Sequence, residues 1–132
     1  MIFRRTFEAV LSSVTDARRF TASTLEGLPE DLIDGAILMV SELATNAVQH
    51  ARSRFELTID CDPDGVEVEV WDHGGGEAEP QHPSATDTSG RGLQIVGALA
   101  DAWGTRQATD RWGKGVWFTL AANSDHSSGR PT

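Results

Sequence analysis

Only one cysteine, Cys61, occurs in 132 residues. No intrachain disulfide can form, and no cysteine pair is available to a zinc ion. Positive charge is scarce as well: 11 Lys and Arg stand against 20 Asp and Glu, a formal net charge of −9. Such a chain lacks the basic surface that non-specific nucleic-acid binding or adhesion to anionic membranes requires. A phosphate ligand stays admissible, because backbone N–H groups, a helix N-terminus and a divalent cation can hold one despite an acidic exterior. Long apolar runs are missing, and nothing approaches the roughly 20 residues of a membrane span. The first residues, Met1-Ile2-Phe3-Arg4-Arg5-Thr6-Phe7, have no apolar core of the kind a signal peptide carries. The expectation is a cytoplasmic protein without membrane contact. His50, His73, His82 and His126 do not fall at metal-ligand spacings. Neither a Ser-His-Asp signature nor a G-x-x-x-x-G-K-[ST] loop is present.

What is there suits one globular domain with a true core: 39% of residues are hydrophobic and four are tryptophan. A short strand is expected over 2–10, anchored by Phe3 and Phe7. A helix follows, capped by Ser12 or Ser13 and running to about Leu25. Gly27 and Pro29 mark a break and a restart, with Pro29 in the first turn of the next helix. That helix is the clearest element, because Ile33, Ala36, Ile37, Val40, Ala44, Ala47, Val48 and Ala51 recur at helical spacing. Residues 54–61 alternate between apolar and polar, as do 66–71, with a turn at Asp62-Pro63-Asp64-Gly65 between them. Cys61 lies in this alternating run and reads as a core thiol. Residues 73–89 read as a long loop. Helical spacing returns with Leu93, Ile95, Val96, Leu99 and Ala100, and strands are expected over 102–109 and 115–122. The order β-α-α-β-β-loop-α-β-β predicts an α/β two-layer sandwich, its sheet mixed and largely antiparallel, its helices on one face.

Three short motifs stand out in this order. In Glu42-Leu43-Ala44-Thr45-Asn46-Ala47-Val48-Gln49-His50, Glu42, Asn46 and His50 fall within about 80° of one another on a helix, beside the apolar stripe. The Asn46 amide oxygen suits Mg²⁺, which prefers oxygen ligands. The Glu42 carboxylate, one turn earlier, suits deprotonation of an attacking hydroxyl or water. In Asp72-His73-Gly74-Gly75-Gly76, a carboxylate at a strand end can accept a hydrogen bond from an exocyclic amine such as that of adenine. The glycines after it permit close backbone approach. Gly90-Arg91-Gly92-Leu93 opens a helix, where free N–H groups and the dipole attract phosphate and Arg91 adds a charge-assisted contact. Each motif alone is ordinary; ordinary packing does not call for all three together. Trp71, Trp103, Trp112 and Trp117 read as packing residues, and His73 as a surface histidine.

With these motifs in place, the chain resembles the GHKL ATPase superfamily, which includes gyrase B, the large heat-shock chaperone, mismatch-repair ATPases and histidine kinase catalytic domains. Within it, the chain looks most like the small anti-sigma-factor serine kinases and related ATP-binding regulators of actinobacterial type. The likeness spans roughly residues 3–121. Glu42–His50 match the family's N box, Asp72, Gly74 and Gly76 its D-x-G-x-G box, and Gly90, Gly92 and Leu93 its G-x-G-[LI] box. Gly113–Phe118 resemble its closing strand. The resemblance implies the Bergerat sandwich over residues 1–122, followed by a polar tail, 123–132. It implies ATP and Mg²⁺ as ligands. Asn46 would bind the metal, Asp72 the adenine amine, Gly90, Arg91, Gly92 and Leu93 would lie along the phosphates, Glu42 would be the general base, and 77–89 would be the lid. The function implied is a protein serine/threonine kinase in transcription regulation, acting on an anti-sigma-factor antagonist and also sequestering a sigma factor. It contacts no nucleic acid directly, and homodimer formation is compatible with it. The alternative is a non-catalytic protein-binding regulator. The acidic lid, with Glu77, Glu79 and Asp87 and no Lys or Arg before Arg91, favours that alternative; Glu42 together with Asn46 favours the kinase.

Overall fold

Alternation along β2 (Phe55–Asp62) and β3 (Gly65–Asp72) decides which way the sheet faces. Their register pairs Leu57 with Val70 and Ile59 with Val68. One pleat face therefore gathers Phe55, Leu57, Ile59, Val66, Val68 and Val70, all buried. β5 (Lys114–Ala121) extends that face, setting Val116 beside Val70 and Phe118 beside Val68. Fully burying an apolar side chain such as Phe55 or Phe118 contributes about 1.5–3 kcal/mol. β1 (Ile2–Phe7) and β4 (Ala102–Arg106) are the edges of the sheet, whose order is β1-β2-β3-β5-β4. The computed structural model describes residues 1–73, 94–107 and 109–122. The expected sheet was mixed and largely antiparallel. Over the described strands all four pairings are antiparallel.

Two helices cover the apolar face. α1 (Ser12–Thr24) lies against β1 and β2, and α2 (Glu30–Asn46) against β3 and β5. Their buried residues join the sheet's in one core. The stripe of α2 is wider than the predicted one. Leu32, Met39 and Leu43 are buried with Ala36, Val40 and Ala44, while Ile33 and Ile37 are only half-buried at its margin. Ser12 and Ser13 do not cap α1: Leu11 holds the N-cap position without a side-chain hydrogen bond, and Ser13 is buried in the first turn. Pro29 stands one position earlier than predicted, at the N-cap of α2. Its carbonyl accepts the Leu32 and Ile33 N–H groups. A third helix, described over 94–99, puts Val96 into the core. Cys61 is half-buried against that core.

The opposite face of the sheet is charged and carries two tryptophans. Arg106 pairs with Glu67 and Glu69 and lies over the Trp117 ring. Trp71 donates its indole N–H to Glu69 at 3.2 Å. Its ring lies so close above Gly115 that a Cβ there would be 2.7 Å from it. The strand partner of Trp71 must therefore be glycine. The packing role expected of the tryptophans is what the fold gives Trp71, at 9% exposure. Among the described residues no helix is long and apolar enough to cross a membrane.

Candidate functional site

Glu42 and Asn46 occupy the last turns of α2. Leu43, Ala44 and Ala47 commit the helix to the core, which leaves the two polar side chains half-buried beside that stripe. A spacing of four residues separates them by about 6 Å along the axis. The α-helix ends at Asn46 and continues as a single π-helical stretch, Ala47–Ala51. The row expected of Glu42, Asn46 and His50 thus runs from the α-helix into the π-helical stretch. His50 lies within this stretch and is exposed, whereas Glu42 and Asn46 are half-buried on the α-helical part. Arg52 then adopts the left-handed conformation, φ 52°, and reverses the chain. The Ala47 carbonyl accepts both the Arg52 N–H and the Ser53 N–H, the latter at 3.2 Å.

Asp72 ends β3 on the pleat face that looks toward the helices, level with Phe55 on one side and Lys114 on the other. It is buried, 5% exposed. The chain reversal at Arg52 leads straight into β2, and Phe55 pairs with Asp72. The C-terminal end of α2 and the end of β3 therefore meet at one end of the molecule. A serine completes the junction. The Ser53 hydroxyl accepts the His73 N–H at 3.0 Å and donates to the Arg54 carbonyl at 2.7 Å.

A turn leading into β5 closes over the same strand end. The Thr109 hydroxyl accepts the N–H groups of Arg111 (3.1 Å) and Trp112 (3.0 Å), and the Thr109 N–H donates to the Trp112 carbonyl at 2.8 Å. The Trp112 ring, 8% exposed, stacks on His73 with centroids 4.4 Å apart and planes 19° from parallel. Gly113 donates its N–H to the Asp72 carbonyl at 2.7 Å. A Cβ at Gly113 would stand 2.6 Å from the His73 carbonyl oxygen, so this approach requires glycine.

Of the residues singled out in the sequence, Glu42, Asn46 and Asp72 fall within the described part, at the ends of α2 and β3. Gly74, Gly76, Gly90, Arg91, Gly92, Leu93 and the lid 77–89 lie outside the described residues. Two clefts among the described residues lie elsewhere. One is bordered by Arg18, Asp34, Ile37 and Leu38 of α1 and α2, the other by Asp62, Asp64 and Asp101 near the Asp62–Gly65 turn. Neither includes Glu42, Asn46 or Asp72, and neither has chemistry to recommend it over the α2–β3 junction. Ser53 and Trp112 are the neighbours that sequence reasoning missed. Ser53 had no signal beyond following the helix. Trp112 was visible as a tryptophan in a turn, but nothing in the sequence placed it against His73.

The model of the histidine kinase-like ATPase domain matches residues 7–120, from the end of β1 through most of β5. The chain belongs to the histidine kinase-like ATPase domain family. A search of curated protein sequences gave no significant match. Membership makes this an ATP-binding, ATPase-type domain and agrees with the α/β sandwich described above. For such a domain the chemistry of the junction is apt. A buried carboxylate at a strand end suits an amine donor, and a half-buried amide oxygen suits a hard cation. No group of three or more His, Cys, Asp or Glu among the described residues would hold a metal ion. A cation at Asn46 would therefore draw further oxygens from the nucleotide and from water.

Proposed function

We propose that the chain is an ATP-Mg²⁺-dependent protein serine/threonine kinase of the anti-sigma-factor type, acting in the cytoplasm on an anti-sigma-factor antagonist and also able to sequester a sigma factor. The observation that carries this reading is the pairing, at one end of the fold, of the buried Asp72 with the half-buried Glu42 and Asn46. Asp72 accepts a hydrogen bond from the adenine amine. Asn46 offers its amide oxygen to the cation, and Gly74, Gly76, Gly90, Arg91, Gly92 and Leu93 line the nucleotide. Mg²⁺, when bound, offsets phosphate charge. Glu42 accepts the proton of the acceptor serine hydroxyl. The serine oxygen then forms a bond to the γ-phosphorus while the bond from that phosphorus to the β–γ bridging oxygen breaks, and ADP leaves. Residues 1–122 form the catalytic unit, and 123–132 are a polar tail outside it. Catalysis of this type rests on positioning and electrostatics rather than on covalent chemistry by the protein.

The experiment is incubation of the chain with γ-labelled ATP, Mg²⁺ and candidate antagonist proteins. Label on an antagonist serine supports the reading. Nucleotide binding without transfer to any candidate favours instead a nucleotide-gated, non-catalytic protein-binding regulator, the alternative that the acidic composition of 77–89 supports.

A further inference from the structure

The peptide group joining Asp72 to His73 is gripped on both edges. Its carbonyl accepts the Gly113 N–H at 2.7 Å, and its N–H donates to the Ser53 hydroxyl at 3.0 Å. These two grips come from opposite directions in the sequence. Ser53 is tied through its own N–H to the Ala47 carbonyl, the residue after Asn46. Gly113 follows Trp112, whose ring lies flat on the His73 ring at 4.4 Å. The turn that presents both is itself fixed by three hydrogen bonds between Thr109 and the 111–112 backbone. A peptide held on both edges fixes where the end of β3 lies, and with it the Asp72 Cα from which the carboxylate projects.

We infer that Ser53 and Trp112 are positioning residues that fix the direction of the Asp72 carboxylate and so set selectivity for the exocyclic amine of adenine. The inference rests on the proposed role of Asp72. Hydrogen-bond readout of an amine depends steeply on direction, and a site built around such a bond discriminates strongly against an analogue that lacks the donor. Loosening the clasp should therefore weaken the ligand that carries the amine and spare the one that does not. A side chain that merely supports the fold would weaken both alike.

The test compares the affinity of ATP-Mg²⁺ with that of purine riboside triphosphate-Mg²⁺, which lacks only the 6-amino group. The proteins are the wild type, Ser53→Ala, Ser53→Thr, Trp112→Ala, Trp112→Phe and Asp72→Asn, each checked by circular dichroism for a native melt. Ser53→Ala and Trp112→Ala should each lose about tenfold in affinity for ATP and less than about twofold for the analogue, in keeping with the directional readout. Ser53→Thr, which keeps the hydroxyl, and Trp112→Phe, which keeps a stacking ring, should recover most of the selectivity. Equal losses for both ligands, or wild-type selectivity in both alanine variants, would overturn the inference. Asp72→Asn separates the two levels of the argument. If it collapses selectivity while the clasp variants do not, only the clasp is wrong. If it leaves selectivity untouched, the assignment of Asp72 to adenine fails, and the clasp's role fails with it.

Discussion

Three side chains carry the proposed chemistry, and their surroundings differ in ways that separate their roles. Asp72 is almost fully buried, whereas Glu42 and Asn46 are half-buried on a helix. A buried acceptor at the base should discriminate between purines. ATP is expected to raise the melting temperature while GTP raises it much less, because guanine presents a carbonyl where adenine presents the amine. Equal stabilisation by the two nucleotides, read by thermal shift, would remove Asp72 from the base. A general base acts only on the transfer step. Glu42→Ala should keep most ATP binding and lose phosphoryl transfer by roughly 10²–10⁴-fold. A wild-type transfer rate in that variant would exclude the Glu42 mechanism. The placement of these three residues at the ends of α2 and β3 was legible in the sequence, because helical spacing and strand alternation set those ends. Ser53 and Trp112 were not. Their contacts join residues 20 and nearly 40 positions apart in the chain, and no local pattern encodes such a meeting.

Among the elements, the junction after α2 departs most from local rules. The helix closes through a π-helical stretch into a left-handed arginine, Arg52, where glycine is the usual occupant. The left-handed conformation costs an L-residue about 1–2 kcal/mol, and glycine forfeits roughly 0.5–1 kcal/mol of that advantage through its freer unfolded chain. Arg52→Gly should therefore stabilise the fold by up to about 1.5 kcal/mol, and Arg52→Val should destabilise it by about 1 kcal/mol or more. Denaturant midpoints check both, and the opposite ranking would contradict the backbone account. Periodicity announced every described helix and strand within a few residues, since alternation and helical spacing follow directly from burial. It did not announce the π stretch, which has no side-chain signature. Nor did it fix strand direction, because alternation looks alike in parallel and antiparallel pairs; only the pairings of β1 with β2 and β3 with β5 reveal the wholly antiparallel sheet. The serine cap expected for α1 failed because Leu11 holds the N-cap position, which puts Ser12 and Ser13 inside the helix.

For the molecule as a whole, an antiparallel sheet with helices on one face brings the end of α2 and the end of β3 to one rim, so a site of distant residues needs no domain movement to assemble. The net charge of −9 opposes an anionic ligand. Direct protein–triphosphate attraction is correspondingly weak. Nucleotide affinity should fall by at least about tenfold, or about 1.4 kcal/mol, when EDTA removes Mg²⁺; an affinity indifferent to EDTA would take the cation out of the account.

The claim on which the rest depends is that ATP-Mg²⁺ binds between the end of α2 and the end of β3. Titration calorimetry of ATP-Mg²⁺ into the wild type, Asn46→Ala and Asp72→Asn tests it most directly. The account predicts saturable one-to-one binding by the wild type and a loss of at least about tenfold in each variant, with native circular dichroism in all three. Equal affinity in all three proteins, or no binding by the wild type, would contradict it.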